Sequence, residues 1–333
     1  MADVNPKRVL IVDYNHLAHT YMHTMAGRLT TTVNGEVVDT TITAMTVKRI
    51  FEWSGYGAYP TAVCLDSPCP SRKAIHNRFF GTGSGEDGYK GDRAGMRSAF
   101  YDAISQFVQF TNGSISLFKQ QGYEADDLIL ACVENARKNY PDHHIDIVTN
   151  DTDLLPLVSD DISVFLRSMK GTWAESEALK KTKYMQFTPE NFTESVKMRS
   201  DYKDYDIPYN SILLLKLLRG DNSDNIPGDL RAFPPRMVKK LFLDMDPSDA
   251  ASVFRFGNLS AVMEYVKTFV EDDELLKNIY ARYLLMDLNH GYRAEEHGVD
   301  RPATKLRTMK PIDVQGLGIR LLKLGIHLPL PRS

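Results

Sequence analysis

At 333 residues, with 43% hydrophobic and 25% charged side chains, the chain has ordinary globular composition and room for one large domain or two. No apolar run reaches the roughly 18 residues that a membrane span needs, and the start lacks the basic and apolar stretches of a secretory leader. The net charge of −3 disfavours a uniformly basic polyanion binder.

Cys64, Cys69 and Cys132 are odd in number and lack metal-type spacing, so a reduced, cytoplasmic setting is expected. Charge is unevenly spread. Between Ser71 and Arg97 six basic residues (Arg72, Lys73, Arg78, Lys90, Arg93, Arg97) face three acids, and Arg231, Arg236, Lys239 and Lys240 form a second segment without acids.

Taken in chain order, Arg8–Asp13 is a continuous aliphatic run that predicts a buried strand. Thr61–Asp66 and His144–Thr149 repeat it, and Ser163–Leu166 predicts a further strand. Helical spacing of apolar residues predicts helices over Thr40–Trp53, Ala99–Phe110 and Asp127–Asn139. Strands alternating with helices predict an α/β fold with a central, mostly parallel sheet covered on both faces. Phe80–Gly95 holds six glycines and predicts a mobile segment between helical shoulders. From Ser211 the chain reads as mainly helical, with turns at Gly220–Gly228 and Pro234-Pro235.

Acids gather where these strands end. Asp13 closes the first strand and Asp66 the second; Asp151 and Asp153 follow the third. Glu124, Asp126 and Asp127 precede a helix, and Asp221 and Asp224 come from the later segment. Each has a plainer reading alone: a turn residue, a helix cap, or a partner for the helix dipole. In an open parallel sheet, however, the carboxyl ends of the strands share one edge. Anions brought together there repel strongly. Protonation would relieve that repulsion, and so would bound cations. Oxygen ligands without His or Cys point to two Mg²⁺, or Mn²⁺ in their place, over zinc. Such a pair can activate water and stabilise the leaving oxygen of a phosphodiester.

Six segments then carry a resemblance. They are the strand ending at Asp13; Leu65-Asp66 followed by Arg72; Tyr89-Lys90-Gly91-Asp92-Arg93; Tyr123-Glu124-Ala125-Asp126-Asp127; Thr149-Asn150-Asp151-Thr152-Asp153; and Gly220-Asp221-Asn222-Ser223-Asp224-Asn225-Ile226-Pro227-Gly228. In content and order, over roughly residues 8 to 260, the sequence resembles the flap endonuclease / 5′→3′ exonuclease family, closest in character to bacteriophage 5′ nucleases of the phage ribonuclease H type.

The resemblance implies a PIN-like core over 1–205 with a helical arch at about 72–97. It also implies a helical part over 206–333 with a duplex-binding helix–turn–helix at about 213–242. By position, Glu124, Asp126, Asp127 and Asp151 would hold one ion with Asp66 close by. Asp153, Asp221 and Asp224 would belong to the second, and Asp13 would order metal-bound water. Lys90 and Arg93 would face the phosphate, on one face if their segment is helical. Tyr89 would stack on an unpaired base, and Phe79 and Phe80 would pack the base of the arch. Arg72, Lys73, Arg78 and Arg97 would line the strand path.

The implied task is removal of RNA primers or 5′ flaps in replication. Substrates would be DNA with a 5′ flap or overhang, or RNA–DNA hybrid, cut by a monomer that leaves a 5′-phosphate. Single-strand binding protein or clamp contacts are not readable, and the short, polymerase-free chain suggests a phage enzyme.

One stretch departs from the family. Where a Gly-hydrophobic-Gly hairpin is usual, Asp229–Lys240 has no glycine and carries Pro234 and Pro235. The helix–turn–helix is expected to persist with a weakened or absent monovalent-cation site. Arg231, Arg236, Lys239 and Lys240 would then grip the duplex phosphates. Two rivals stand beside the nuclease reading. A haloacid-dehalogenase-type phosphatase needs a second Asp where Asn15 stands, and a non-catalytic DNA-structure binder would be favoured by lost acids.

Overall fold

In a computed structural model, which describes residues 7–25, 27–33, 35–81, 89–90, 98–167, 184–199, 202–229, 231–246, 252–288 and 306–329, the aliphatic run Arg8–Asp13 forms β1. It lies inside a six-stranded sheet of order β5-β4-β1-β6-β7-β8. The other members are β4 (Thr61–Cys64), β5 (Ser116–Phe118), β6 (His144–Thr149), β7 (Ile162–Arg167) and β8 (Tyr184–Phe187). Pairing is parallel except for β8, which runs antiparallel on β7. The expected mostly parallel sheet is therefore present. Val9 and Ile11 pack into one hydrophobic layer, Leu10 and Val12 into the other. A strand buried on both faces has no polar side to show, hence the unbroken apolar run.

Helix α1 (Tyr14–Met25) follows β1 without a loop, and α2 (Thr41–Trp53) comes after an antiparallel hairpin of β2 (Thr30–Val33) and β3 (Glu36–Asp39). Next are α3 (Pro70–Phe80), α4 (Ser98–Thr111) and α5 (Ala125–Asn139), then the short α6 (Phe192–Lys197). The later part supplies α7 (Ile212–Arg219), α8 (Pro235–Asp244), α9 (Leu259–Lys267), α10 (Asp273–Met286) and α11 (Val314–Leu322). Helix α7 joins the same hydrophobic layer as Val9, Ile11 and α5. Helix α11 returns to the opposite layer, where Leu317 and Leu321 are buried with Phe107 of α4.

Register positions the edge. Asp13 pairs with Cys64, and Val12 with Val148, so Asp13, Asp66 and the turn after Thr149 lie side by side at the carboxyl ends of adjacent strands. The motif Gly220–Gly228 forms a tight loop closed by two 2.8 Å hydrogen bonds between the backbones of Asp221 and Ile226. A Cβ at Gly228 would lie 1.7 Å from the Arg219 carbonyl oxygen. Gly220, at φ +72°, would meet Ile226 at 2.3 Å, so neither position accepts a side chain.

Candidate active site and nucleic-acid face

The inner part of the edge is built from four carboxylates on separate elements. Asp13 Oδ1 accepts from the His16 amide at 3.2 Å, and its Oδ2 accepts from Thr149 Oγ1 at 2.9 Å. Asp66 Oδ1 accepts from the Ala125 amide at 2.7 Å, so the first turn of α5 holds it. Its Oδ2 accepts from Asn15 Nδ2 at 3.0 Å. Asp151 caps the 3-10 turn Thr152–Leu157 by accepting from the Asp153 amide at 2.9 Å.

Burial, and then the charge of Asp66, push the Asp13 carboxyl up to about 7. Burial, and then Asp151 and Asp13, hold Asp126 well above the usual carboxylate range. Burial also pushes the neighbouring His16 imidazole down to about 4, leaving it neutral.

A second layer is tied up with cations. Arg72 of α3 is 3% exposed; it pairs with Glu124 and, at 2.5 Å, with Asp127 Oδ1. The other Asp127 oxygen accepts from the Glu124 amide at 2.9 Å. Asp127 thus braces the start of α5. Lys90 Nζ lies 2.9 Å from Glu124 and 3.5 Å from Asp224. Arg72 and Lys90 outweigh burial and keep the Glu124 carboxyl below its ordinary range. At the far end, Lys216 of α7 pairs with Asp153 and, at 2.7 Å, with Asp221 Oδ2.

These positions correct three expectations. Arg72 does not line a strand path, because two buried carboxylates claim its guanidinium. Tyr89 does not present an open ring: its hydroxyl donates to Glu124 at 3.2 Å and its ring lies 5.9 Å from His76. Lys90 is not helical, since its φ of 52° is left-handed. Arg93 and Arg97 lie outside the described residues. Lys73 and Arg78 are exposed, as are Arg231, Arg236, Lys239 and Lys240 on and before α8. Pro235 is the first residue of α8. Phe79 is half-buried, its ring 6.2 Å from Tyr280, and Phe80 is half-buried 5.5 Å from His76.

Sequence reasoning missed the residues that position the acids. Asn15 clamps Asp66 from both sides, donating to its carboxylate and accepting from its amide at 3.3 Å. Arg282 of α10 is 1% exposed and reaches Pro227 O at 2.7 Å, Leu217 O at 2.9 Å and the Asp229 carboxylate, stapling the acidic loop to the helical part. A lone Arg within the apolar run Ile279–Met286 is its only signal.

Among the described residues no three acids form a ready-made metal cage. The donor set nonetheless fits hard cations. Beside burial, the Asp66 and Asp151 charges raise the proton affinity of Asp13 and Asp126, a repulsion that a divalent ion held by these oxygens would relieve.

An acid-lined carboxyl edge on a mostly parallel, helix-flanked sheet defines a class, the PIN-like 5′ nuclease fold. The chain belongs to the 5′-3′ exonuclease family: the model of that family's N-terminal resolvase-like domain matches residues 8–197. It is 32% identical to DNA polymerase I of Mycobacterium leprae over 143 residues, 42% of this chain and 13% of that one. With the thermostable DNA polymerase I of Thermus aquaticus it shares 28% over 237 residues, 70% and 23% of the two chains. It therefore spans under a quarter of either polymerase. Among solved structures, bacteriophage T5 5′-exonuclease with bound zinc superposes with a TM-score of 0.59 at 15% identity, over 95% of this chain and 99% of that one. A T5 flap endonuclease complex with DNA and metal ions gives 0.55 at 15% identity, over 96% and 99%. No helix among the described residues is long and apolar enough to cross a membrane.

Proposed function

We propose that the chain is a structure-specific 5′ nuclease that hydrolyses phosphodiesters at 5′ flaps and 5′ ends, RNA primers included. It would use Mg²⁺, with Mn²⁺ as a substitute, and leave a 5′-phosphate and a 3′-hydroxyl. The observation that carries this reading is the gathering of Asp13, Asp66, Asp126 and Asp151 at one sheet edge, where burial and the neighbouring carboxylates raise the Asp13 and Asp126 carboxyls. Bound divalent ions would supply an activated water and stabilise the leaving oxygen.

The chain's own groups do the rest. Asp66, Asp126 and Asp151 would hold the inner ion, joined by Glu124 once Lys90 turns from it to a phosphate oxygen. Asp13, fixed by Thr149, would orient water. Asp153, Asp221 and Asp224 would face the outer ion. Lys90 and Arg93 would stabilise charge on the non-bridging oxygens. Asp127 and Arg72 would position Glu124. The exposed Arg231, Arg236, Lys239 and Lys240 would grip duplex phosphates, with Lys73, Arg78 and Arg97 along the single strand.

The test is a 5′-labelled flap incubated with Mg²⁺, Ca²⁺ or chelator. Cutting in Mg²⁺ alone is expected. Binding in all three with cutting in none would leave a DNA-structure binder on the same fold.

A further inference from the structure

Helix α7 ends at the loop that leads into α8, and the last carbonyls of a helix have no partner within it. Here the loop and a distant helix supply the partners. The Gly220 amide donates to Lys216 O at 2.7 Å, and the Asp229 amide to Leu218 O at 3.3 Å. Between them, Leu217 O accepts from Arg282 Nη1 of α10 at 2.9 Å. The same guanidinium donates from Nε to Pro227 O at 2.7 Å and from Nη2 to the Asp229 carboxylate. All three nitrogens are engaged, as a planar, forked cation allows and a point-like ammonium does not.

Arg282 is 1% exposed, so its charge serves the fold alone. It lies at the negative end of the α7 dipole, against a carbonyl of the turn and a carboxylate. Without it those oxygens would face one another uncompensated, which is strongly unfavourable. Asp229 carries the effect onward: its carbonyl accepts from the amide of Phe233 at 2.9 Å, a buried residue just before α8. The exposed Arg231, Arg236, Lys239 and Lys240 stand on that turn and helix. The resemblance implies a monovalent cation in this loop, and these residues do not fit one. Two carbonyls and a carboxylate are the donors a small cation would seek there, and a guanidinium already holds all three.

We propose that Arg282 is the resident cation of the duplex-binding loop, fixing the α7–α8 geometry so that duplex affinity needs no small cation from solution. The proposal rests on the reading that this loop grips duplex. It makes Arg282 a positioning residue that touches no substrate.

The test is binding of a labelled duplex to the full chain, read by fluorescence anisotropy in chelator. For the unsubstituted protein, K⁺, Na⁺ and tetramethylammonium at equal ionic strength should give affinities within about twofold, because only general screening remains. R282A should bind duplex about tenfold or more weakly. Millimolar guanidinium should restore R282A, and Na⁺ at the same ionic strength should not. R282M, whose side chain fills the space, should stay weak in both. A marked loss of affinity in tetramethylammonium overturns the proposal without any variant. So does a folded R282A or R282M of unchanged duplex affinity, or an R282A that guanidinium restores no better than Na⁺. No duplex binding by the unsubstituted protein in any salt overturns the duplex reading itself, a different and distinguishable failure.

Discussion

Around Asp13 and Asp126 carboxylates face one another; around Asp153 and Asp221 they face a lysine. Both groups are acids at the end of one sheet, yet the first carries raised proton affinities and the second is neutralised by a contact ammonium. The difference teaches that residue type alone does not define an ion site. Repulsion that protein cations relieve only in part marks where an external ion gains most, and a contact ion pair marks where it gains least.

The largest effect that would sharpen the contrast comes from neutralising the inner group. Asp126→Asn or Asp151→Asn should reduce flap cleavage by about 10³-fold or more while leaving the flap bound, because the charge that attracts the ion is gone. Asp153→Asn should cost far less. Equal losses at both ends, measured by single-turnover cleavage, would break the comparison.

A smaller effect follows from pH. The folded-state pKa of Asp13 is raised from 3.8 to about 7, so folding favours its protonated form. That contribution is fully present below pH 3.8 and is lost as pH rises through about 7. The metal-free protein should therefore lose melting temperature between pH 5.5 and 8, and Mn²⁺ should restore more at pH 8. Over that window Mn²⁺ affinity should rise by up to about tenfold per pH unit, one proton leaving per ion bound. A melting temperature independent of pH and metal across the range would contradict the crowding at Asp13.

Much of this contrast was legible in the sequence. Buried parallel strands appear as unbroken apolar runs, so β1, β4 and β6 could be placed, and their carboxyl ends put Asp13, Asp66 and Asp151 together. The glycines of Gly220–Gly228 could be recognised because no other residue fits the closed loop. What could not be read were partners brought from afar. Arg72 looks like any surface arginine until α3 turns it towards Glu124 and Asp127, 52 and 55 residues away. In sequence Asn15 reads only as a missing acid, and Arg282 lies 53 residues from the Asp229 it meets. Helix α1 was missed because His16, His19 and His23 blur its apolar stripe. The β2–β3 hairpin had a usable signal, Asn34-Gly35 with Gly35 at φ 89°, between short β-branched runs.

The smallest effect concerns cations that stay on the surface. Lys239 and Lys240 are exposed on α8, and Lys239 is 3.2 Å from Asp206, a pair that water screens. If they touch duplex phosphates, Lys240→Ala should weaken binding only a few-fold, about equally across sequences, and reduce the salt slope by about 1. Lys239→Ala should do less, since Asp206 already shares its charge. Because Pro235 opens α8 where a glycine turn would offer carbonyls, exchanging K⁺ for Na⁺ at fixed ionic strength should change cleavage little. A strong preference for K⁺ would show that the loop holds a monovalent ion after all. The duplex grip would then resemble the inner acids, completed by an ion from solution, more than the lysine-closed outer pair.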